Sequence, residues 1–132
     1  MKIITLSYEE FDNFAKNHKY YTYYQTKNYA DLSKTIDGFD IHFLGFCDDG
    51  GKLVGASLML YKTLFWGYKY AYSPRGLLID YEDTALVSEV SNELKRLLKK
   101  QKFIFIKVDP PVIASERDKE GNIIKFNDKF YD

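Results

Sequence analysis

The apolar positions of this chain change period several times, and each change marks an element. Lys2-Ile3-Ile4-Thr5-Leu6 is short, apolar and β-branched, which predicts a strand. Ser7 and Glu10 then stand in capping-box relation, the hydroxyl facing the third helical N–H and the carboxylate reaching back. Phe11, Phe14, Ala15 and His18 follow at helical spacing and predict a first helix over residues 8–17. A shorter helix is predicted over residues 27–34, with Tyr29, Ala30 and Leu32 facing inward, before the turn signal Asp37-Gly38. Two strand-like runs, residues 41–47 and 52–61, flank Asp48-Asp49-Gly50-Gly51, the strongest hairpin signal in the chain. A third strand is expected at residues 68–72, between Trp66-Gly67 and Ser73-Pro74-Arg75-Gly76. Asp83 caps the best helix, whose stripe is Leu86, Val90, Leu94 and Leu97, widened by Val87 and Leu98. Phe103-Ile104-Phe105-Ile106 has the unbroken apolar pattern of a strand buried on both faces, and it ends at Asp109-Pro110-Pro111. Residues 118–122 (DKEGN) read as a turn, and residues 126–132 show no period.

The order β-α-α-β-β-β-α-β predicts an α/β (α+β) layered domain: an antiparallel meander, then a helix returning the chain to a further strand of a mixed sheet. The 132 residues suffice for one domain with a core and not for two.

Charge narrows the function classes. Nineteen basic residues balance nineteen acidic ones, which argues against bulk electrostatic capture of nucleic acid or an anionic membrane. The basic run at residues 95–100 reads as a solvated helix face that complements the helix dipole. A single cysteine, Cys47, excludes an internal disulfide and points to an intracellular chain; beside an apolar strand it reads as a small core hydrophobe. The start MKIITLSYEE has no secretory apolar region, and no stretch reaches the roughly 18 apolar residues of a spanning helix. No phosphate-cradling glycine loop of either usual kind is present. His18 and His42 have no partner at ligand spacing, so no metal site is expected. The unusual number is aromatic content, 17%, with 12 tyrosines, pointing to a surface or cleft lined by rings that carry hydroxyls.

Four places can carry chemistry. Arg75, beside Pro74 and Gly76, can hold a carboxylate or phosphate bidentately, or can pair with Asp80 or Asp109 to pin a loop. Asp109, at the end of an α/β strand, can project into a cleft and bond a substrate hydroxyl or amide, or can cap the strand end. Tyr20 to Tyr24 and Gln25 can stack on a sugar or base, or, as the plainer alternative, pack between helix and sheet. Lys34 can be a phosphate ligand or an ordinary solvated lysine.

Together these residues resemble a known family. Tyr70-Ala71-Tyr72-Ser73-Pro74-Arg75-Gly76 with Leu77-Leu78-Ile79-Asp80-Tyr81 is similar to the "AYxPRGPVLDY" stretch of the FemABX aminoacyltransferases. Phe105-Ile106-Lys107-Val108-Asp109-Pro110-Pro111 resembles that family's strand ending in Asp-Pro. Tyr24-Gln25 through Tyr29 and Lys34 resembles its "Q-x-x-x-W" region with a following lysine, Tyr29 standing for the common tryptophan. Leu77 replaces a frequent proline.

The resemblance implies transfer of an amino acid from aminoacyl-tRNA to the stem peptide of a peptidoglycan precursor, building the interpeptide bridge in the cytoplasm. It implies a GNAT-like (acetyltransferase-like) subdomain spanning residues 1–132, the N-terminal one of two, so that this chain is an expected fragment lacking its second half. The implied partners are a precursor, as lipid II or UDP-MurNAc-pentapeptide, and aminoacyl-tRNA held by the absent half. DNA is not among them, membrane contact is peripheral only, and no cofactor is implied. Carried over by residue, Asp109 is the candidate catalytic group near the reacting amine. Lys34, Tyr70, Arg75, Gly76 and Tyr29 are substrate-binding candidates. Two rivals stand beside this reading. One is a standalone precursor- or carbohydrate-binding module. The other is an acyl-CoA N-acetyltransferase, which would need a glycine-rich turn opening a helix.

Overall fold

Five strands form one sheet in the order β1-β2-β3-β4-β5 in the computed structural model, which describes residues 1–130. β1 (Lys2–Thr5), β2 (Asp40–Cys47), β3 (Leu53–Thr63) and β4 (Lys69–Ser73) are successively antiparallel. α3 (Thr84–Lys100) then carries the chain back so that β5 (Phe103–Val108) lies parallel to β4. This is the predicted mixed, largely antiparallel α/β sheet.

Local signals set most element starts. Ser7 Oγ accepts the Glu10 N–H at 3.1 Å and Glu10 answers the Ser7 N–H at 3.3 Å, completing the capping box of α1 (Tyr8–Ala15). Thr26 Oγ1 accepts the Tyr29 N–H at 3.2 Å and opens α2 (Lys27–Asp37), which runs three residues beyond the expected end. Gly38 stops it in the left-handed conformation (φ 70°), its N–H closing on the Lys34 carbonyl at 3.2 Å.

The sheet buries both faces, one per helix layer. α3 packs Val90, Leu94 and Leu98 against Leu44, Phe46, Met59 and Ala71. On the other face, Phe11 and Ala15 of α1 and Ala30 of α2 cover Leu58, Leu60 and Leu78. Each fully buried side chain of the size of Phe11 or Leu58 contributes about 1.5–3 kcal/mol of burial.

Two expectations change. Leu32 is exposed, and the buried residues of α2 are Ala30 and Ser33, because the helix turns that side to the sheet. β5 is not buried on both faces: it is an edge strand, and Ile104 and Phe105 are 56% and 54% exposed. Its unbroken apolar run suits double burial, yet nothing among the described residues covers its free side. The turn expected at residues 118–122 is present, and it connects two short strands that the sequence did not announce, β6 (Ser115–Arg117) and β7 (Ile123–Phe126), in a separate hairpin.

Candidate functional site

β4 and β5 end side by side, with Ser73 opposite Val108, and there the chain leaves the sheet. Residues 74–77 form a bulge, buried except for Arg75, before Leu78 rejoins β3, exchanging two backbone hydrogen bonds with Ala56 at 2.9 and 3.1 Å. Arg75 sits on the crest of that bulge in the left-handed region (φ 53°), an uncommon place for a side chain of its size.

The bulge is held from below by Gln25, which is 0% exposed. Its Oε1 accepts the Leu58 N–H at 2.7 Å, and its Nε2 donates to the Pro74 carbonyl at 2.7 Å and to Ser73 Oγ at 3.3 Å. Ser73 Oγ in turn lies 2.7 Å from Ser57 Oγ. Gly76 completes this knot: a Cβ there would press on Ser73 Oγ and come within 2.9 Å of Gln25 Nε2. Thr22 and Thr26 cap the turn (Tyr23–Gln25) that delivers Gln25 to this position.

Asp109 holds the bulge from the side. Its Oδ1 accepts the Arg75 backbone N–H at 2.7 Å and its Oδ2 accepts the Tyr72 hydroxyl at 3.1 Å. Burial first, and then that bond to Asp109, push the Tyr72 pKa up to about 12. The Tyr72 hydroxyl therefore remains a donor at neutral pH.

These groups line an open hollow of about 390 Å³ formed by Tyr24, Tyr29, Tyr72, Arg75 and Asp109. Tyr24 and Tyr29 meet edge to face at 5.1 Å, and Tyr23 closes on both, so the rings brace one another at the rim. The Arg75 guanidinium has no ion pair among the described residues: Asp80 is taken by Lys19 at 2.9 Å, and Asp109 spends its oxygens on a backbone N–H and a hydroxyl.

Of the residues singled out from sequence, Tyr29, Arg75 and Asp109 converge on the hollow and Gly76 lies beneath it. Lys34 does not line it. Five residues beyond Tyr29 on α2, it faces another direction and is exposed. Tyr70 points to the same sheet face as Tyr72 but is one strand pleat away, stacked on Phe105 at 5.5 Å. Tyr24, named as part of the tyrosine cluster that can stack on a ligand, lines the hollow too, whereas Tyr72 was not among the candidates. The signal for Tyr72 was its two-residue spacing from Tyr70, which puts both on one face of β4.

Among the described residues, no group of three or more His, Cys, Asp or Glu is placed to hold a metal, and no helix is long and apolar enough to cross a membrane.

The layered fold is GNAT-like: a crystal structure of a Trypanosoma brucei acetyltransferase superposes with a TM-score of 0.50, over 89% of this chain and 95% of that one, at 14% identity. A family model described as the FemAB family matches residues 6–131. The aminoacyltransferase FemA of Staphylococcus aureus (strain bovine RF122 / ET3-1) is 31% identical over 134 aligned positions, covering 100% of this chain. The same enzyme from strain MW2 aligns equally, at 31% identity. A crystal structure of FemX matches with a TM-score of 0.69 and 26% identity over 85% of this chain. This chain belongs to the FemAB family. It spans about a third of its FemA relatives, 32% of their length, and 28% of the FemX chain.

Proposed function

We propose that this chain is the acceptor-binding part of a peptidoglycan bridge aminoacyltransferase, the first of two GNAT-like subdomains, acting on a cytoplasmic precursor. In the reaction, an amine of the stem peptide attacks the ester carbonyl carbon of aminoacyl-tRNA. The C–N bond forms, the ester C–O bond breaks, the ribose hydroxyl leaves and the amine gives up a proton. The work asked of this part is positioning, which can supply several kcal/mol of a bimolecular barrier without a covalent enzyme intermediate. The donor tRNA is held by the rest of the enzyme.

The observation that carries this reading is the convergence of Tyr29, Arg75 and Asp109 on one hollow at the strand ends of a FemAB-family chain. A carboxylate has about four acceptor positions, and Asp109 has committed two. The others can receive the acceptor amine. The Tyr24–Tyr29 rim offers ring faces to the sugar or peptide.

Calorimetric titration with UDP-MurNAc-pentapeptide tests the assignment. Saturable binding, lost in Arg75→Ala and Asp109→Ala variants that keep their fold, is expected. A folded chain that takes up no precursor, or binding untouched by both substitutions, refutes it.

A further inference from the structure

Among the described residues, Arg75 is the one cation lining the hollow, and it is displayed at some cost. A left-handed backbone is uncommon for arginine, and here it is fixed by three separate contacts: Asp109 on its own N–H, Gln25 on the preceding carbonyl, and the Gly76 packing behind it. The chain has an obvious way to neutralise that guanidinium, a salt bridge to Asp109, and does not use it. The carboxylate takes the backbone of Arg75 instead, leaving the planar head exposed and without an ion pair among the described residues. A guanidinium held this way is a receptor for an anion from outside.

The surroundings decide which anion. The hollow contains one arginine and one aspartate, so its formal charge is zero before any ligand enters. A phosphate dianion or a diphosphate would meet a single cation beside a carboxylate. Lys34, the other phosphate candidate, lies outside the lining, and the nearby Lys107 sits over the Tyr72 ring at 5.1 Å. A planar monoanion fits the fork of one guanidinium with two parallel N–H···O bonds. The Tyr72 hydroxyl is already committed to Asp109, which leaves the hydroxyls of Tyr24 and Tyr29 to flank such a ligand.

We propose that Arg75 is a specificity-determining residue that binds a free carboxylate of the acceptor peptide, so that the hollow selects peptides bearing that carboxylate over their carboxamides. This rests on the precursor reading above and names what that site recognises.

The test follows the Arg75 Nε–H resonance of the 132-residue chain, assigned by its loss in Arg75→Gln. The probes are N-acetyl-D-alanyl-D-alanine, its C-terminal carboxamide, and inorganic phosphate. In parallel, UDP-MurNAc-pentapeptide is titrated with its carboxylates free or amidated. The free dipeptide is expected to shift the resonance saturably, its carboxamide and phosphate at least about tenfold less strongly at equal concentration. Arg75→Gln keeps the same backbone demand and should erase the preference, while Arg75→Lys should retain only part of it. An equal response to acid and carboxamide, a stronger response to phosphate, or no response to the free dipeptide overturns the proposal. The two readings separate cleanly. A precursor that binds equally well with amidated carboxylates leaves the precursor reading standing and removes this one. A carboxylate-selective Arg75 in a chain that ignores the precursor overturns the precursor reading, and with it the assignment of that carboxylate to the acceptor peptide.

Discussion

Asp109 holds Arg75 by its backbone and not by its charge: Oδ1 accepts the Arg75 N–H at 2.7 Å while the guanidinium makes no ion pair among the described residues. The relationship ties the end of β5 to the bulge after β4, so two segments 34 residues apart share one carboxylate. It also divides the labour of the site. Asp109 is both a lining group and the positioning residue for its neighbour, and substitutions there move more than one contact.

Asp109→Asn tests that division through Tyr72. Burial, the bond to Asp109, that carboxylate's charge and the neighbouring Tyr29 all raise the phenol, and the substitution removes only what the Asp109 carboxylate supplies. The Tyr72 pKa is therefore expected to fall from about 12 and stop short of its usual 10.0. Ring carbon shifts followed from pH 8 to 13 read this directly. An unchanged pKa would show that Asp109 does not face the hydroxyl.

Gln25 anchors the bulge, and losing it leaves the Leu58 N–H and the Pro74 carbonyl without their partner in a site sealed from water. At about 1–3 kcal/mol for each stranded group, Gln25→Ala should cost on the order of 3 kcal/mol in urea denaturation. Gln25→Glu restores one acceptor and loses the donor, so it should recover only part. A cost below about 0.5 kcal/mol would mean the knot contributes nothing.

β5 and α3 should respond oppositely to truncation. Leu94 is 4% exposed in the core, so Leu94→Ala is expected to cost about 2–5 kcal/mol. Ile104 is 56% exposed on the edge strand, so Ile104→Ser should stay within about 0.5 kcal/mol. Equal losses would show that β5 is covered in solution, as its composition alone suggests.

His18 gives the fold a pH dependence. Burial first, and then Lys19, hold its pKa below the usual 6.5, and its Nδ1 accepts the Tyr20 N–H at 3.2 Å, which requires an unprotonated nitrogen. The unfolded chain thus binds the proton more readily than the folded one. This contribution is complete above pH 6.5 and is lost as pH falls through the lower folded value. Thermal melts between pH 7.5 and 5 should fall more steeply for the parent than for His18→Gln. Parallel slopes would assign the acid sensitivity elsewhere.

Much of the fold was legible because its signals are carried by neighbours in sequence. The Ser7–Glu10 box, the glycine turn at residues 48–51 and the stripe of Leu86, Val90, Leu94 and Leu97, of which Val90 and Leu94 are buried with Leu98 in place of Leu97, each lie within a few residues of the element they define. The motif around Arg75 and the Asp-Pro strand end marked the family for the same reason, and three of the named site residues do meet at one hollow.

What tertiary structure alone decided is what lies next to what across the chain. The β5 run reads as buried, but burial depends on a neighbour, and β5 has none on its outer side among the described residues. Lys34 follows Tyr29 closely in sequence, yet the helical turn between them sends the two side chains apart. Gln25 looked like the tail of a tyrosine cluster. Its role exists only because a capped turn delivers its amide beneath a bulge 49 residues away, where one side chain satisfies a strand N–H and a loop carbonyl at once. Local order is written in periods and caps, whereas burial and convergence are set by chain crossings that no window of the sequence contains.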